Sequence, residues 1–301
     1  FDAAEHLESF DWGVDKKVVI CSSCAGESVY DALETAAVCA FCGSTNVMPS
    51  ATEKSIAPGG VCPFEIPINN AGELFGKWLK RKIFTPSAAK RQAKPESFVG
   101  VYLPYWTFDT STTSTFSGQA GFDRRVKRGD RVETVTDWRR VSGIYQEMID
   151  DFTVVASKKN ESSGVKRAEP FVFSKLVPYR PELVAGFVAE RYSVGLKDGW
   201  TKAQSGITER LKRNIEGYIK KKWNADRARC QSLSTVFDNV TYKYILVPVW
   251  LSSFTYKNKV YQFVVNGQTG KVGGKAPISA LRVAIAILLG IILLALILNY
   301  S

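Results

Sequence analysis

Between Val283 and Leu298 the chain reads VAIAILLGIILLALIL, sixteen residues without a polar or charged side chain. Extended back through Ile278, Ala280 and Leu281, the run makes a helix of about twenty residues. At ~1.5 Å per residue it spans roughly 30 Å, the thickness of a bilayer's hydrocarbon core. A helix packed on a water-soluble domain would carry a polar face over that length, and this one has none. The sequence therefore predicts a transmembrane helix over residues 278–299, with Val283, Leu288, Leu289, Ile291 and Leu298 among its lipid-facing positions. Arg282 sits one turn from the start, where its long stem is expected to carry the guanidinium to the headgroups. Lys271, Lys275 and Arg282 precede the run, and only Asn299, Tyr300 and Ser301 follow it. By the positive-inside rule the bulk of the chain is expected on the cytoplasmic side of the membrane. The chain opens on Phe1 and not Met, so its natural start is expected to be missing or processed.

Cysteine spacing supplies the second strong signal. Cys21-Ser-Ser-Cys24 and Cys39-Ala-Phe-Cys42 are two CxxC pairs separated by fourteen residues. Each CxxC turn aims two thiolates at one centre, and two such turns close a tetrahedral site. Zn2+ is favoured over an iron–sulfur cluster because the ligands form two symmetric pairs. With four thiolates no coordination position stays open, so the metal is expected to be structural. Val18–Ile20, Val29–Tyr30 and Ala36–Val38 are predicted to be strands of the ribbon, too small a unit to fold without its metal. Cys62 and Cys230 lie apart and read as small core residues or free thiols.

After the ribbon, residues 49–69 read as a linker rich in small and polar residues. Asn70 is placed to cap a helix through Phe84, with Leu74, Phe75, Trp78, Leu79 and Ile83 on its apolar side. The body shows an apparent internal echo: Val101-Tyr-Leu-Pro104-Tyr-Trp106 returns 144 residues later as Ile245-Leu-Val-Pro248-Val-Trp250. A helical pattern precedes each copy and strand-like segments follow it. The second helix is expected over about residues 201–223, where Ala203, Ile207, Leu211, Ile215, Ile219 and Trp223 recur every four residues. Asn266-Gly267 is read as a hairpin turn, Trp106 and Trp250 as core anchors, and Asp150-Asp151 as an acidic pair on a solvated loop. These elements predict an α+β chain with five parts: an N-terminal segment 1–17, a zinc ribbon 18–48, the linker 49–69, a duplicated helix-plus-antiparallel-sheet body 70–277, and the membrane helix.

A net charge of +11 points to an anionic partner, either nucleic acid or an acidic lipid surface. Held near a membrane, the clusters Lys80-Arg81-Lys82 and Lys220-Lys221-Lys222 are the candidate contacts for headgroups or a protein partner. Chemistry is harder to find. The sequence contains no GxxxxGK[ST] phosphate loop, no HExxH and no GxGxxG, and its single histidine is His6. The chain is therefore read as non-enzymatic.

The series Cys21-x2-Cys24, Cys39-x2-Cys42-Gly, Pro63-Phe64, Leu103-Pro104-Tyr105-Trp106, Pro248-Val-Trp250 and Val265-Asn266-Gly267-Gln268-Thr269-Gly270-Lys271, closed by one hydrophobic tail, resembles a bacterial family over nearly the whole chain. Its members are membrane proteins carrying a TFIIB-type zinc ribbon, often mislabelled as primosomal helicase-like. The resemblance implies a place in the inner membrane and a role in membrane-stress response or membrane organisation. It also implies a phage-shock-protein-A-like or flotillin-like (SPFH) protein partner, and it implies no catalytic residues. The expected function is a single-pass scaffold that recruits partners to the membrane surface, with homo-oligomerisation left open. A membrane-tethered nucleic-acid-binding ribbon is the alternative.

Overall fold

The computed structural model describes residues 16–23, 27–31, 39, 44–49, 56, 58–93, 98–128, 131–158, 164–257 and 259–300. In chain order they form β1 (Lys16–Cys21), β2 (Glu27–Asp31), β3 (Val47–Pro49), β4 (Gly60–Val61), α1 (Ile68–Lys80), α2 (Ser87–Gln92), β5 (Val99–Arg128) and β6 (Arg131–Val155). There follow α3 (Val165–Ala168), β7 (Val177–Pro178), β8 (Val188–Glu190), α4 (Leu196–Trp223), β9 (Arg227–Tyr256), β10 (Lys259–Asn266), β11 (Val272–Gly274) and α5 (Ala280–Tyr300). The class is α+β, as predicted. The chain divides into two compact units, and β5, β6 and β9 contribute residues to both.

One unit contains residues 106–154 and 194–244. Its portions of β6, β5 and β9 lie side by side with β5 in the middle. Hydroxyl pairs set the register between β5 and β9: Ser114 with Thr235 at 2.8 Å and Ser117 with Ser232 at 2.7 Å. Numbers rise on one strand as they fall on the other, so the pairing is antiparallel. Phe108, Thr110, Thr112, Ser114, Phe116 and Ala120 of β5 are buried, every second residue. Buried hydroxyls are costly unless paired. Thr110 donates to the Asp238 carbonyl at 2.9 Å and Thr112 to the Glu147 carbonyl at 2.7 Å.

Helix α4 starts at Leu196, five residues before the predicted start, and buries Gly199, Ala203, Ile207, Leu211, Ile215 and Ile219. A four-residue step overshoots one helical turn by about 40°, so the stripe winds around the helix and can follow a twisted sheet. A Cβ on Gly199 would stand 2.7 Å from Trp106 Cδ1, so glycine admits the indole. Asn224, in the left-handed conformation (φ 49°), ends the helix.

The other unit contains residues 8–105, 155–193 and 245–301. In it β1 pairs antiparallel with β2 and β3, and β2 pairs antiparallel with β8. The strand that ends on Cys21 thus joins, through β2, the sheet that holds β8. The segment Ala36–Val38, predicted as a ribbon strand, lies outside the described residues, and β3 pairs with β1 at Val47–Pro49. Strand β8 runs parallel to β5, while β9, β10 and β11 form an antiparallel series. Val101, Leu103 and Tyr105 of β5 share one apolar cluster with Ile245, Val247 and Val249 of β9. A second, aromatic cluster gathers Phe75, Trp250, Phe254 and Phe263, the rings of Phe75 and Phe263 stacking at 3.7 Å.

The hairpin turn expected at Asn266-Gly267 joins the antiparallel β10 and β11, with a different distribution of backbone conformation. The left-handed residue between β10 and β11 is Gly270 (φ 70°), four positions later. Gly267 is needed for proximity instead, since a Cβ there would stand 2.7 Å from the Phe64 ring. Asn266 acts as a clamp: its amide donates to the Ala168 and Pro170 carbonyls, and its oxygen accepts from the Gln268 and Thr269 N–H groups. Gln268 extends the clamp through the backbone N–H and C=O of Val172.

Candidate functional site

Of the four predicted zinc ligands, Cys21 and Cys39 are described, one from each CxxC pair; Cys24 and Cys42 lie outside the described residues. Cys21 ends β1 opposite Val47, and both described thiols are buried in the same apolar cluster. The loops that carry them are joined. Ser22 N–H donates to the Asn46 carbonyl at 2.9 Å, Cys39 N–H to the Ser44 carbonyl at 2.8 Å, and the Ser23 and Ser44 hydroxyls meet at 2.8 Å. Backbone and serine bonds thus tie the segment after Cys21 to residues 44–46, which also bond Cys39. Cys62 is buried in the same unit, and Cys230 in the other. Burial, helped by the Glu216 carboxylate, pushes the Cys230 thiol up, as befits a core residue.

The C-terminal run forms α5, with the 18-residue window Ala280–Ile297 long and apolar enough to cross a membrane and none of it buried. Leu288, Leu289 and Ile291 are all more than half exposed. Leu298 falls inside the helix, its side chain outside the described ones.

Arg282 makes bonds within the chain. It folds back onto the segment after α1, donating to the Ile83 carbonyl at 2.9 Å, the Thr85 carbonyl at 2.7 Å and the Ser87 hydroxyl at 2.6 Å. Ser279 N–H adds a bond to the Phe84 carbonyl at 2.9 Å. Carbonyls beyond a helix end lack helical partners, and a forked five-donor cation can satisfy several at once.

The same segment shows a difference from expectation. Helix α1 begins at Ile68 after Pro67, which makes no side-chain cap, so Asn70 lies in the first turn and not at the cap. The helix ends at Lys80, and Ile83, predicted on its apolar face, is 71% exposed, with Phe84 beside it 37% exposed. Lys80, Arg81 and Lys82 are exposed at this end, Lys82 Nζ lying 4.8 Å from the centre of the Trp78 ring. The structure thus brings Lys80, Arg81, Lys82 and Arg282 to one place. Ile83, Phe84 and Ser87 are the members that sequence reasoning missed; the two consecutive apolar residues just past a basic trio were the available signal. Lys220, Lys221 and Lys222 occupy the last turn of α4 in the other unit, where cations complement the helix dipole.

Asp150 and Asp151 lie within β6 and not on a loop. Asp151 adopts a left-handed conformation (φ 46°) that Asp tolerates, and its N–H donates to Asp109 at 2.7 Å. Ligand atoms of Asp109, Asp150 and Asp151 come within 4.8 Å of one another. Lys243 Nζ supplies countercharge at 3.5 Å from both Asp109 and Asp151. Burial alone would lower that ammonium's pKa, and the two carboxylates outweigh it and raise it.

No family model matches the chain and no solved structure matches it. Over 236 residues it is 29% identical to the uncharacterized protein YdjG of Bacillus subtilis (strain 168), the alignment covering 76% of this chain and 66% of the relative. The chain thus spans just under two thirds of the length of the curated relative it matches.

Proposed function

We propose that the chain is a non-enzymatic membrane adaptor: α5 crosses the bilayer once, and the remainder recruits protein partners at the cytoplasmic surface of the cell membrane. One observation carries the reading. An apolar helix with none of an 18-residue window buried is out of place in water and at home in lipid. Cys21, Cys24, Cys39 and Cys42 would hold a structural Zn2+, whose contribution is to fold the N-terminal strands. The burial of Cys21 and Cys39 in one apolar cluster and the bonds between their segments support that role. The matched bonds of Trp106 and Trp250, each to the segment entering a helix, favour a duplicated body. The family resemblance supplies the class of partner, a phage-shock-protein-A-like or flotillin-like protein, and the setting of membrane stress or organisation.

Alkaline carbonate extraction tests the anchor. The full chain is expected to stay with the pellet, and release of the intact polypeptide would refute the reading. Metal analysis and affinity capture of the Cys21→Ser, Cys39→Ser variant test the ribbon: zinc and a ribbon-bound partner should be lost together. Unchanged capture would remove the ribbon from recruitment.

A second reading, nucleic-acid binding, draws on the unit holding β6, where Arg229 stacks on Trp138 at 4.1 Å and Arg139 on Phe122 at 4.8 Å. It predicts affinity that falls steeply with salt.

A further inference from the structure

We infer that the segment from Trp78 to Ser87 is an anionic-phospholipid site, clamped at the membrane surface by the first turn of α5. The inference rests on the membrane-anchor reading and assigns a ligand to a surface beside it.

Three observations converge. The first is position. Ser279 and Arg282 hold the carbonyls of Ile83, Phe84 and Thr85 by hydrogen bonds of 2.7–2.9 Å, so this segment stands where the apolar window begins at Ala280. A helix that enters lipid from residue 280 must bring the attached segment to the headgroup layer.

The second is apolar exposure. Ile83 and Phe84 project from the segment, and Ile278 and Leu281, flanking the latch, are 73% and 71% exposed. Such side chains on a short turn suit the boundary between headgroups and acyl chains.

The third is charge. From Lys77 to Arg91 the sequence has six basic residues (Lys77, Lys80, Arg81, Lys82, Lys90, Arg91) and no acidic one. Glu73, the carboxylate of α1, lies at 3.8 Å from Lys77, one turn before the trio. Lys90 Nζ is engaged by the Lys80 carbonyl at 2.8 Å. Lys80, Arg81 and Lys82, exposed together at the end of α1, are the cations assigned to phosphate, with Arg91 a further exposed cation on α2. A site with apolar residues and cations fixed beside a membrane helix matches a bilayer of acidic lipid in both chemistry and place. Arg282 is assigned as the latch because three of its five guanidinium donors are held by Ile83, Thr85 and Ser87.

The test uses the full chain in phosphatidylcholine vesicles with or without phosphatidylglycerol. An environment-sensitive fluorophore on I83C should be quenched by brominated acyl chains. Energy transfer to labelled headgroups should show phosphatidylglycerol enriched around the chain. That enrichment should fall on the order of fivefold for each of Lys80, Arg81 and Lys82 changed to Ala, before additivity fails. Arg282→Gln should leave α5 inserted while the I83C quenching drops. Absence of quenching, or equal lipid preference in the triple-Ala variant, would overturn the proposal. A fluorophore shielded from aqueous iodide yet not quenched by brominated lipid would give the surface to a protein partner and also overturn it. If the chain stays carbonate-resistant in these cases, the anchor reading survives alone; if the chain washes out, both fall.

Discussion

Trp106 and Trp250 sit at corresponding places in similar strand sequences, and the structure gives each the same hydrogen bond in a different setting. Trp106 N–H donates to the Val194 carbonyl and Trp250 N–H to the Ile66 carbonyl, both at 2.8 Å. In each case the acceptor lies two residues before a helix, α4 or α1. The buried stripes then run in parallel, Gly199, Ala203 and Ile207 on α4, and Ala71, Phe75 and Leu79 on α1. The surroundings diverge. Trp106 is fully buried beside a glycine, under a long aliphatic stripe. Trp250, 8% exposed, joins an aromatic cluster with Phe64, Phe187 and Phe254. One indole bond thus serves both as the keystone of a tight helix–sheet contact and as one member of a looser aromatic pile.

The largest effect that would separate these roles is truncation. Trp106→Ala removes a fully buried indole from a rigid seat and should cost about 3–5 kcal/mol. Trp250→Ala should fall at the low end of that range, because neighbouring rings can relax into the gap. Chemical denaturation of the detergent-solubilised chain measures both, and equal losses would break the contrast.

Next in size is an exchange of small residues. Gly199→Ala should gain helix propensity of up to ~1 kcal/mol yet lose more, on the order of 1–3 kcal/mol, because the new methyl meets the indole of Trp106 at 2.7 Å. Ala71→Gly creates no clash and should cost about 1 kcal/mol, with a small cavity term added. A stabilising Gly199→Ala would mean that Trp106 moves as freely as its counterpart.

Trp→Phe at each position keeps most of the ring and deletes only the N–H. If the two bonds are equivalent, both variants should lose a similar ~1 kcal/mol beyond the packing difference. A loss confined to one would show that only that indole anchors its helix.

These pairings also mark how far the sequence could be read. The four-residue stripe of α4 and the two Pro-x-Trp strands were legible because local periodicity and burial agree. What escaped is which helix each tryptophan serves. Trp106 lies in the first strand copy but rests on α4, the helix expected to belong to the second. Trp250 bonds to the segment before α1, the helix ahead of the first. Such exchange is set by contacts 88 and 184 residues apart, where no local signal exists. The end of α1 was misread for a related reason: Ile83 continues the helical spacing, yet the bonds that hold its carbonyl come from Arg282, 199 residues away. Of the cysteine site, spacing proposed four ligands, and the structure adds burial for Cys21 and Cys39 and the serine contact between their loops.

The smallest predicted difference between the units is in their response to acid. In the unit that contains residues 155–193, burial is the main influence on the Glu169 carboxyl and raises its pKa above the ordinary 4.5, against an opposing bond from Tyr105. A raised acid binds more protons folded than unfolded, so its stabilising contribution is full below 4.5 and is lost as pH rises through the higher folded value. In the other unit the Asp123 carboxyl is lowered below 3.8, first by the Thr136 hydroxyl bond at 2.5 Å and then by Arg227. Its contribution is present above 3.8 and is lost as pH falls through the lower folded value. The two units should therefore carry opposite slopes of stability with pH in the acid range. Carbon-detected titration of the two carboxyls would show the midpoints displaced in opposite directions. Glu169→Gln should remove the falling slope and Asp123→Asn the rising one. If both variants shifted the acid response the same way, the electrostatic half of the comparison would fail while the packing half stood.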